Sequence, residues 1–242
     1  MSPWSTTGPR RVIPPAAAPV AYRHAWPVTS LTSALGGRRL GRRLVQLYVG
    51  LVLFGVSMAL LVRSRLGNMP WDVLHQGLVR QVGGTIGGWS IAVGVIVLLL
   101  WIPLRERPGL GTVSNVILIG LSVDATLALL PAARPMALRI AFMAAGIVLN
   151  AVATALYVGA RLGPGPRDGL MTGFVRRTGA SVRLVKTSIE VTVVLVGWAM
   201  GGALGVGTVV FVLTIGPLVQ VFLHRLSVPA PHDGPMLDSV AR

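Results

Sequence analysis

The stretch RLGPGPRDGLMTGFVRRTG, residues 161–179, packs five glycines, two prolines and four arginines into a chain that is otherwise apolar. Residues 65–83, RLGNMPWDVLHQGLVRQVG, repeat nearly the same phrase ninety-six positions earlier. Glycine and proline punctuate a chain rather than extend its helices, so a phrase of this kind written twice demands a structural reason. The match reaches beyond it. With the same shift, GLVLFGVSMAL at residues 50–60 falls on GIVLNAVATAL at 146–156, and GLGTV at 109–113 falls on GVGTV at 205–209. Ile119 and Gly120 fall on Ile215 and Gly216. No gap is needed over about 75 positions, roughly a third of them identical, and shared apolar composition alone does not bring glycines, prolines and aspartates into register. The chain is an internal duplication.

With 53% hydrophobic residues, 12% charged residues and a mean hydropathy of +0.72, the 242 residues are too apolar for a soluble domain. Apolar runs stand at residues 44–62, 89–104, 112–130, 137–158, 184–202 and 207–223, each close to the about 20 residues that cross roughly 30 Å of hydrocarbon. The expected fold is all-α: a polytopic helical membrane protein with six transmembrane helices in two three-span inverted repeats. Repeat 1 covers residues 44–130 and repeat 2 covers 137–224, the two forming one membrane domain. Residues 1–43 mix proline, alanine and arginine without the uninterrupted apolar stretch of a signal peptide, and are expected to be a disordered cytoplasmic extension. The tail, residues 225–242, reads the same way.

The net charge of +15 raises the question of nucleic acid. The basic residues flank apolar runs, however, and carry no zinc-finger, helix-turn-helix or aromatic stacking pattern, so the lipid bilayer is the expected partner and nucleic acid is not. With the amino terminus inside, Arg38, Arg39, Arg42, Arg43, Arg105, Arg107, the segment 161–186 and Arg225 are cytoplasmic. Arg63, Arg65, Arg80, Arg134 and Arg139 are then outside, the bias that the positive-inside rule requires. This orientation puts both termini in the cytoplasm, in a multi-pass protein of the cell membrane. The absence of cysteine excludes disulfides, thiol catalysis and thiolate metal sites.

An odd number of spans per copy makes the second copy enter the membrane from the opposite face, provided that the segments at residues 72–82 and 168–178 do not cross. At about 11 residues each they are too short to do so. Pro70 and Pro166 disfavour helix at the residue before them, and Asp72 and Asp168 stand where an N-cap or first-turn acid belongs. Both segments are expected as short helices, interfacial or re-entrant, entered through Gly67 and Pro70 in one copy and Gly163 and Pro166 in the other. The copies then share a pseudo-two-fold axis in the membrane plane. The loops agree: PLRERPGLGT in copy one is charged, and AMGGALGVGT in copy two is not. Gly111 and Thr112, with Gly207 and Thr208, mark elements that either let helices pack closely or break them so that amides face an anion.

Ionisable residues within apolar helices are costly, by about 2.5 to 3.5 kcal/mol each on insertion scales, and opposite charges that converge offset that cost. Arg167, Asp168, Lys186, Glu190, Asp72 and Asp124 are therefore the candidate substrate-binding residues, expected in one cavity centred on the second copy. Plainer readings stand beside this one. Asp72 and Asp168 can cap helices, and Lys186 and Glu190, four apart, can pair on one helix face. Asn115, Asn150 and Gln220 fit interhelical hydrogen bonds. His24, His75, His224 and His232 show no metal spacing, and no nucleophile and base pair is legible. Neither metal, cofactor nor enzymatic activity is expected.

The motifs LGNMPWDVLH, PGLGTVSNV, GPGPRDGLMTG, IEVTV, and GVGT followed by IGPL resemble those of the YczE/YyaS/YitT-type bacterial integral membrane proteins, from about Arg43 to Leu223. Members of that largely uncharacterised family are often labelled only as transporter or membrane protein, so the resemblance implies a location more than an activity. Lys186 stands where the family pattern favours arginine, and the arginine-rich amino terminus departs from it. The expected function is that of a small secondary transporter, with a small or anionic substrate held by Arg167 and Lys186 and acids available for proton coupling. The alternative is a non-transport accessory or scaffold protein.

Overall fold

The computed structural model describes residues 40–226. Among them are eight helices and no strand: α1 (Leu40–Ser64), α2 (Pro70–Val82), α3 (Ile86–Leu104), α4 (Leu110–Leu129), α5 (Met136–Gly159), α6 (Pro166–Thr178), α7 (Val182–Ala199) and α8 (Val206–Leu226). Each expected run and each expected short helix corresponds to one of them. Five helices, α1, α3, α4, α5 and α8, are long and apolar enough to cross a membrane. Helix α7 differs because its 18 residues include Arg183, Lys186 and Glu190.

The expected extension lies outside the described residues up to position 39, as does the expected tail beyond Leu226. At the inner edges of both, helix replaces the expected disorder. Leu40–Ser64 begins inside the stretch read as extension because Arg43 belongs to the fold. Its Nε donates to the carbonyl of Ala160 at 2.9 Å and its Nη2 to that of Arg161 at 2.9 Å, so it closes the carbonyl end of α5. At the other boundary, Gln46 donates to the carbonyl of Leu226 at 2.8 Å, which ties the last turn of α8 to α1.

Helices α1 and α5 pack along each other at the centre, with α4 beside α1 and α8 beside α5. Helix α2 packs on α7 and α6 packs on α3, while α2 also touches α3 and α6 touches α7. Exchanging every helix for its counterpart ninety-six residues away turns this set of pairings into itself. The bonds at the helix ends repeat in the same way. Gly111 N–H donates to the Leu66 counterpart, the carbonyl of Leu162, at 2.8 Å, and Gly207 N–H donates to the carbonyl of Leu66 at 2.8 Å. Arg139 copies Arg43, its Nε donating to Ser64 at 2.8 Å and its Nη2 to Arg65 at 2.6 Å.

These exchanges explain the glycines of the opening phrase. Gly67 and Gly163 have φ of 134° and 130°, which L side chains rarely adopt. A Cβ on Gly67 would lie 2.6 Å from the amide nitrogen of Thr208, and one on Gly163 would lie 2.9 Å from Oγ1 of Thr112. The turn of each copy therefore has to be bare for the other copy's fourth helix to reach it.

One core unites Leu47, Leu51, Met58 and Leu61 of α1 with Ile119 and Val123 of α4, Ile147 and Tyr157 of α5 and Phe211 of α8. Asn150 crosses from α5 to donate to Ser57 Oγ at 2.9 Å, both side chains buried. Close packing and interhelical hydrogen bonds of this kind hold helices together in lipid, where apolar burial between helices gains little. A second cluster of Trp71, Val97, Trp101, Leu104 and Leu170 fixes the short helices against α3. Outside, Ile102, Leu121, Val206 and Leu213 are exposed, an apolar surface suited to acyl chains.

One relation has no counterpart. A Cβ on Gly87 of α3 would collide with the Gly120 carbonyl of α4, whereas Gly216, the counterpart of Gly120 on α8, has open space around it. Helices α3 and α4 are in close contact, and α7 and α8 are not.

Candidate functional site

Proline sets where the short helices begin. Pro70 and Pro166 occupy the first helical position, after the extended residues Met69 and Gly165. Proline's missing N–H costs nothing there and its φ is already helical. The next residue in each helix is Trp71 or Arg167, and these two meet: the guanidinium carbon of Arg167 lies 4.8 Å from the centre of the Trp71 ring. The amino-terminal ends of α2 and α6 therefore face each other, each carrying the partial positive charge of a helix dipole. Trp101 Nε1 steadies α6 by donating to the carbonyl of Pro166 at 3.0 Å.

Beside this contact is a cavity of about 80 Å³ lined by Arg167, Asp168, Lys186 and Glu190, together with Trp71, Met171 and Ile189. Four of the six expected residues thus meet. Asp168 Oδ2 accepts from the hydroxyl of Tyr157 at 3.1 Å. Lys186 Nζ stands 3.8 Å from Glu190 Oε1, one turn along α7. Both carboxylates at the cavity therefore have a partner. Arg167 is half-buried, stacked on Trp71, and among the described residues has no carboxylate within 4.0 Å and no hydrogen bond. Its planar fork of five N–H donors is open to a ligand.

The other two expected residues lie elsewhere. Asp124 is not at the cavity: its Oδ1 accepts from the Gly87 N–H at 2.8 Å and its Oδ2 from the Thr85 hydroxyl at 2.6 Å. It caps the start of α3, where a carboxylate offsets open amides and the dipole. Asp72 is fully buried and turned to His75, with Oδ1 and Nδ1 3.2 Å apart. Trp71, which forms a wall of the cavity, and His75 are not among the six expected residues. Asp72 and His75 are three apart and so share a helix face, which was the available signal for the histidine. For Trp71 the signal was its alignment with Arg167.

The Gly-Thr elements sit against the turn of the opposite copy. Gly109 N–H donates to Thr112 Oγ1 at 3.1 Å, and that hydroxyl donates to the carbonyl of Pro164 at 2.7 Å. On α8 the hydroxyl of Thr208 is buried without a partner.

Helices with apolar outward faces, bonded end to end around a small charged cavity, define an integral membrane protein of several spans. The chain belongs to the family of unknown function DUF6198, which matches residues 41–224, and the resemblance to YczE and YyaS read from its motifs holds. An uncharacterised protein of Haemophilus influenzae is 39% identical over 208 residues, covering 86% of this chain and 93% of its own. The uncharacterised membrane protein YczE of Bacillus subtilis is 33% identical over 180 residues, covering 74% and 84%. The uncharacterised protein YyaS of the same species is 24% identical over 179 residues, covering 72% and 89%. No solved structure matches the chain.

Proposed function

We propose that the protein is a small secondary transporter of the cell membrane, rather than an enzyme, and that it binds a small anion at Arg167. The observation that carries this reading is the open guanidinium: a half-buried arginine, stacked on Trp71 and without a carboxylate partner, at the point where two short helices present their amino termini. Transporters built from inverted repeats hold anionic groups at such broken-helix ends near the membrane midplane. Arg167 supplies bidentate hydrogen bonds to a carboxylate or phosphate-like group, and Lys186 adds positive charge across the cavity.

The six-span arrangement belongs to the same proposal. Helix α7 crosses despite its charges, since Lys186 and Glu190 pair with each other and line the cavity. The reciprocal bonds between copies support two halves related by an axis in the membrane plane, with both chain termini in the cytoplasm. Reporters fused at Arg105 and at Arg134 are expected to label on opposite sides of the membrane, and labelling on the same side would overturn this topology.

For transport itself the test is reconstitution in liposomes, with a panel of small anions and an imposed pH gradient. Saturable, gradient-dependent uptake of one anion class is expected. Uptake no faster than in protein-free liposomes across the panel would favour the accessory reading. That alternative has one observation of its own: the open flank of α7 and α8 around Gly216 leaves room for another protein's helix.

A further inference from the structure

Asp72 and His75 form a pair that anion binding does not use. Both side chains are fully buried. In the 3.2 Å hydrogen bond between them, a hydrogen on Nδ1 of the imidazole is donated to Oδ1 of Asp72. This leaves His75 Nε2 and Asp72 Oδ2, both buried and both without a hydrogen-bond partner. Buried polar atoms are nearly always paired, and exceptions call for an explanation. The duplication sharpens the case, because the counterpart of His75 is Met171, which has no proton to exchange, and the counterpart of Asp72 is Asp168, whose carboxylate is taken by Tyr157. The pair exists in one copy only, although the turn that carries it exists in both.

Its surroundings can be enumerated. On α2 itself, Gln76 is occupied by Asn68 and by the amide of Ala203, and Arg80 lies in the last turn. Of the helices packed against α2, α3 carries no ionisable side chain, and α7 carries Arg183, Lys186 and Glu190. From α6 comes Arg167, whose guanidinium carbon lies 4.8 Å from the ring centre of Trp71, the residue before Asp72. One cation thus lines the cavity and also lies over the residue next to Asp72.

We propose that the Asp72 and His75 pair is the proton-binding site of this protein, and that it takes up a proton when an anion occupies Arg167; the linkage rests on the transport reading above. A hydronium ion gives its proton to the lone pair of Nε2, its O–H bond breaking as the N–H bond forms and a water molecule leaving, and the imidazolium stays hydrogen-bonded to Asp72 through Nδ1–H. Burial is the largest obstacle to that step and the charge of Arg167 adds to it; an anion on Arg167 removes the second of these. By reciprocity, the proton raises affinity for the anion by the same factor. One anion and one proton are then carried together.

The test needs no transport. The full chain in detergent micelles, labelled with ¹⁵N-histidine, is titrated between pH 4 and 9, and His75→Gln identifies the His75 signal. Arg167→Gln is expected to raise the proton affinity of His75 roughly tenfold, as removal of a nearby like charge does. Arg167→Lys is expected to leave it in place, and Asp72→Asn to lower it by a similar factor. A His75 midpoint unmoved by both Arg167→Gln and Asp72→Asn, or no titration in that range, would overturn the proposal. If one variant fails to fold, the other decides alone. Should the midpoints move as expected while liposomes take up nothing, transport falls and the proton site stands. Gradient-driven uptake with an unmoved midpoint would place the coupling proton elsewhere.

Discussion

Arg167→Gln is expected to lower the initial rate of anion uptake into proteoliposomes about a hundredfold, the consequence of losing charge-assisted hydrogen bonds of about 3 kcal/mol. Glutamine keeps much of the length of the side chain and can still lie against Trp71, but it offers neither charge nor fork. Arg167→Lys recovers part of the rate, since an ammonium restores the charge without bidentate geometry and stacks less well on an indole. The partial recovery is what separates an anion ligand from a packing residue. If Arg167 only filled space over Trp71, glutamine and lysine would behave alike and uptake would stay within a few fold of the wild-type rate. Thermal unfolding of each variant, followed by circular dichroism in detergent, confirms that the comparison is made between folded proteins.

The second large effect comes from exchanging two charges at once. Lys186→Glu combined with Glu190→Lys keeps net charge, helix and pair, and places the acid amino-terminal to the base, which is the more favourable order on a helix. Stability is therefore expected to be unchanged or slightly higher. The positive charge, however, moves about 6 Å along α7, four residues at 1.5 Å each. With Arg167 fixed, that displacement spoils a site shaped for one anion, and uptake is expected to fall at least about tenfold. Full uptake by the exchanged protein would reduce Lys186 and Glu190 to a structural ion pair and leave Arg167 to hold the anion by itself.

What could be read from the sequence was whatever one helix carries within itself. The apolar runs, the prolines at Pro70 and Pro166 and the four-residue spacing of Lys186 and Glu190 are local, and each appears in the structure where it was expected. Arg43 was misplaced because a search for apolar runs stops at an arginine, while its partners are carbonyls at Ala160 and Arg161, more than a hundred residues away. Asp124 failed similarly. An acid alone in the sequence of a greasy helix invites a functional reading, and nothing near it shows that Thr85 and Gly87 wait at the head of α3. His75 has no metal-ligand spacing to mark it, and its partner is a single acid three residues earlier, a pairing that many exposed helices also show. The stacking of Arg167 on Trp71 joins equivalent positions of two copies, and an alignment pairs such positions without bringing them into contact.

The paired bonds from Gly111 to Leu162 and from Gly207 to Leu66 also bear on how the protein is made. Synthesis delivers residues 40–130 to the bilayer first, and at that moment the Leu66 carbonyl and the Gly111 amide have no mates. Backbone groups without partners are costly wherever water is excluded, so the early half is an unfinished object with two bonds still to make. Arrival of Leu162 relieves one vacancy, and the later arrival of Gly207 relieves the other. Assembly therefore closes like a clasp with α8, and a ribosome that stalls before α8 leaves behind a chain with an exposed flaw rather than a smaller working protein.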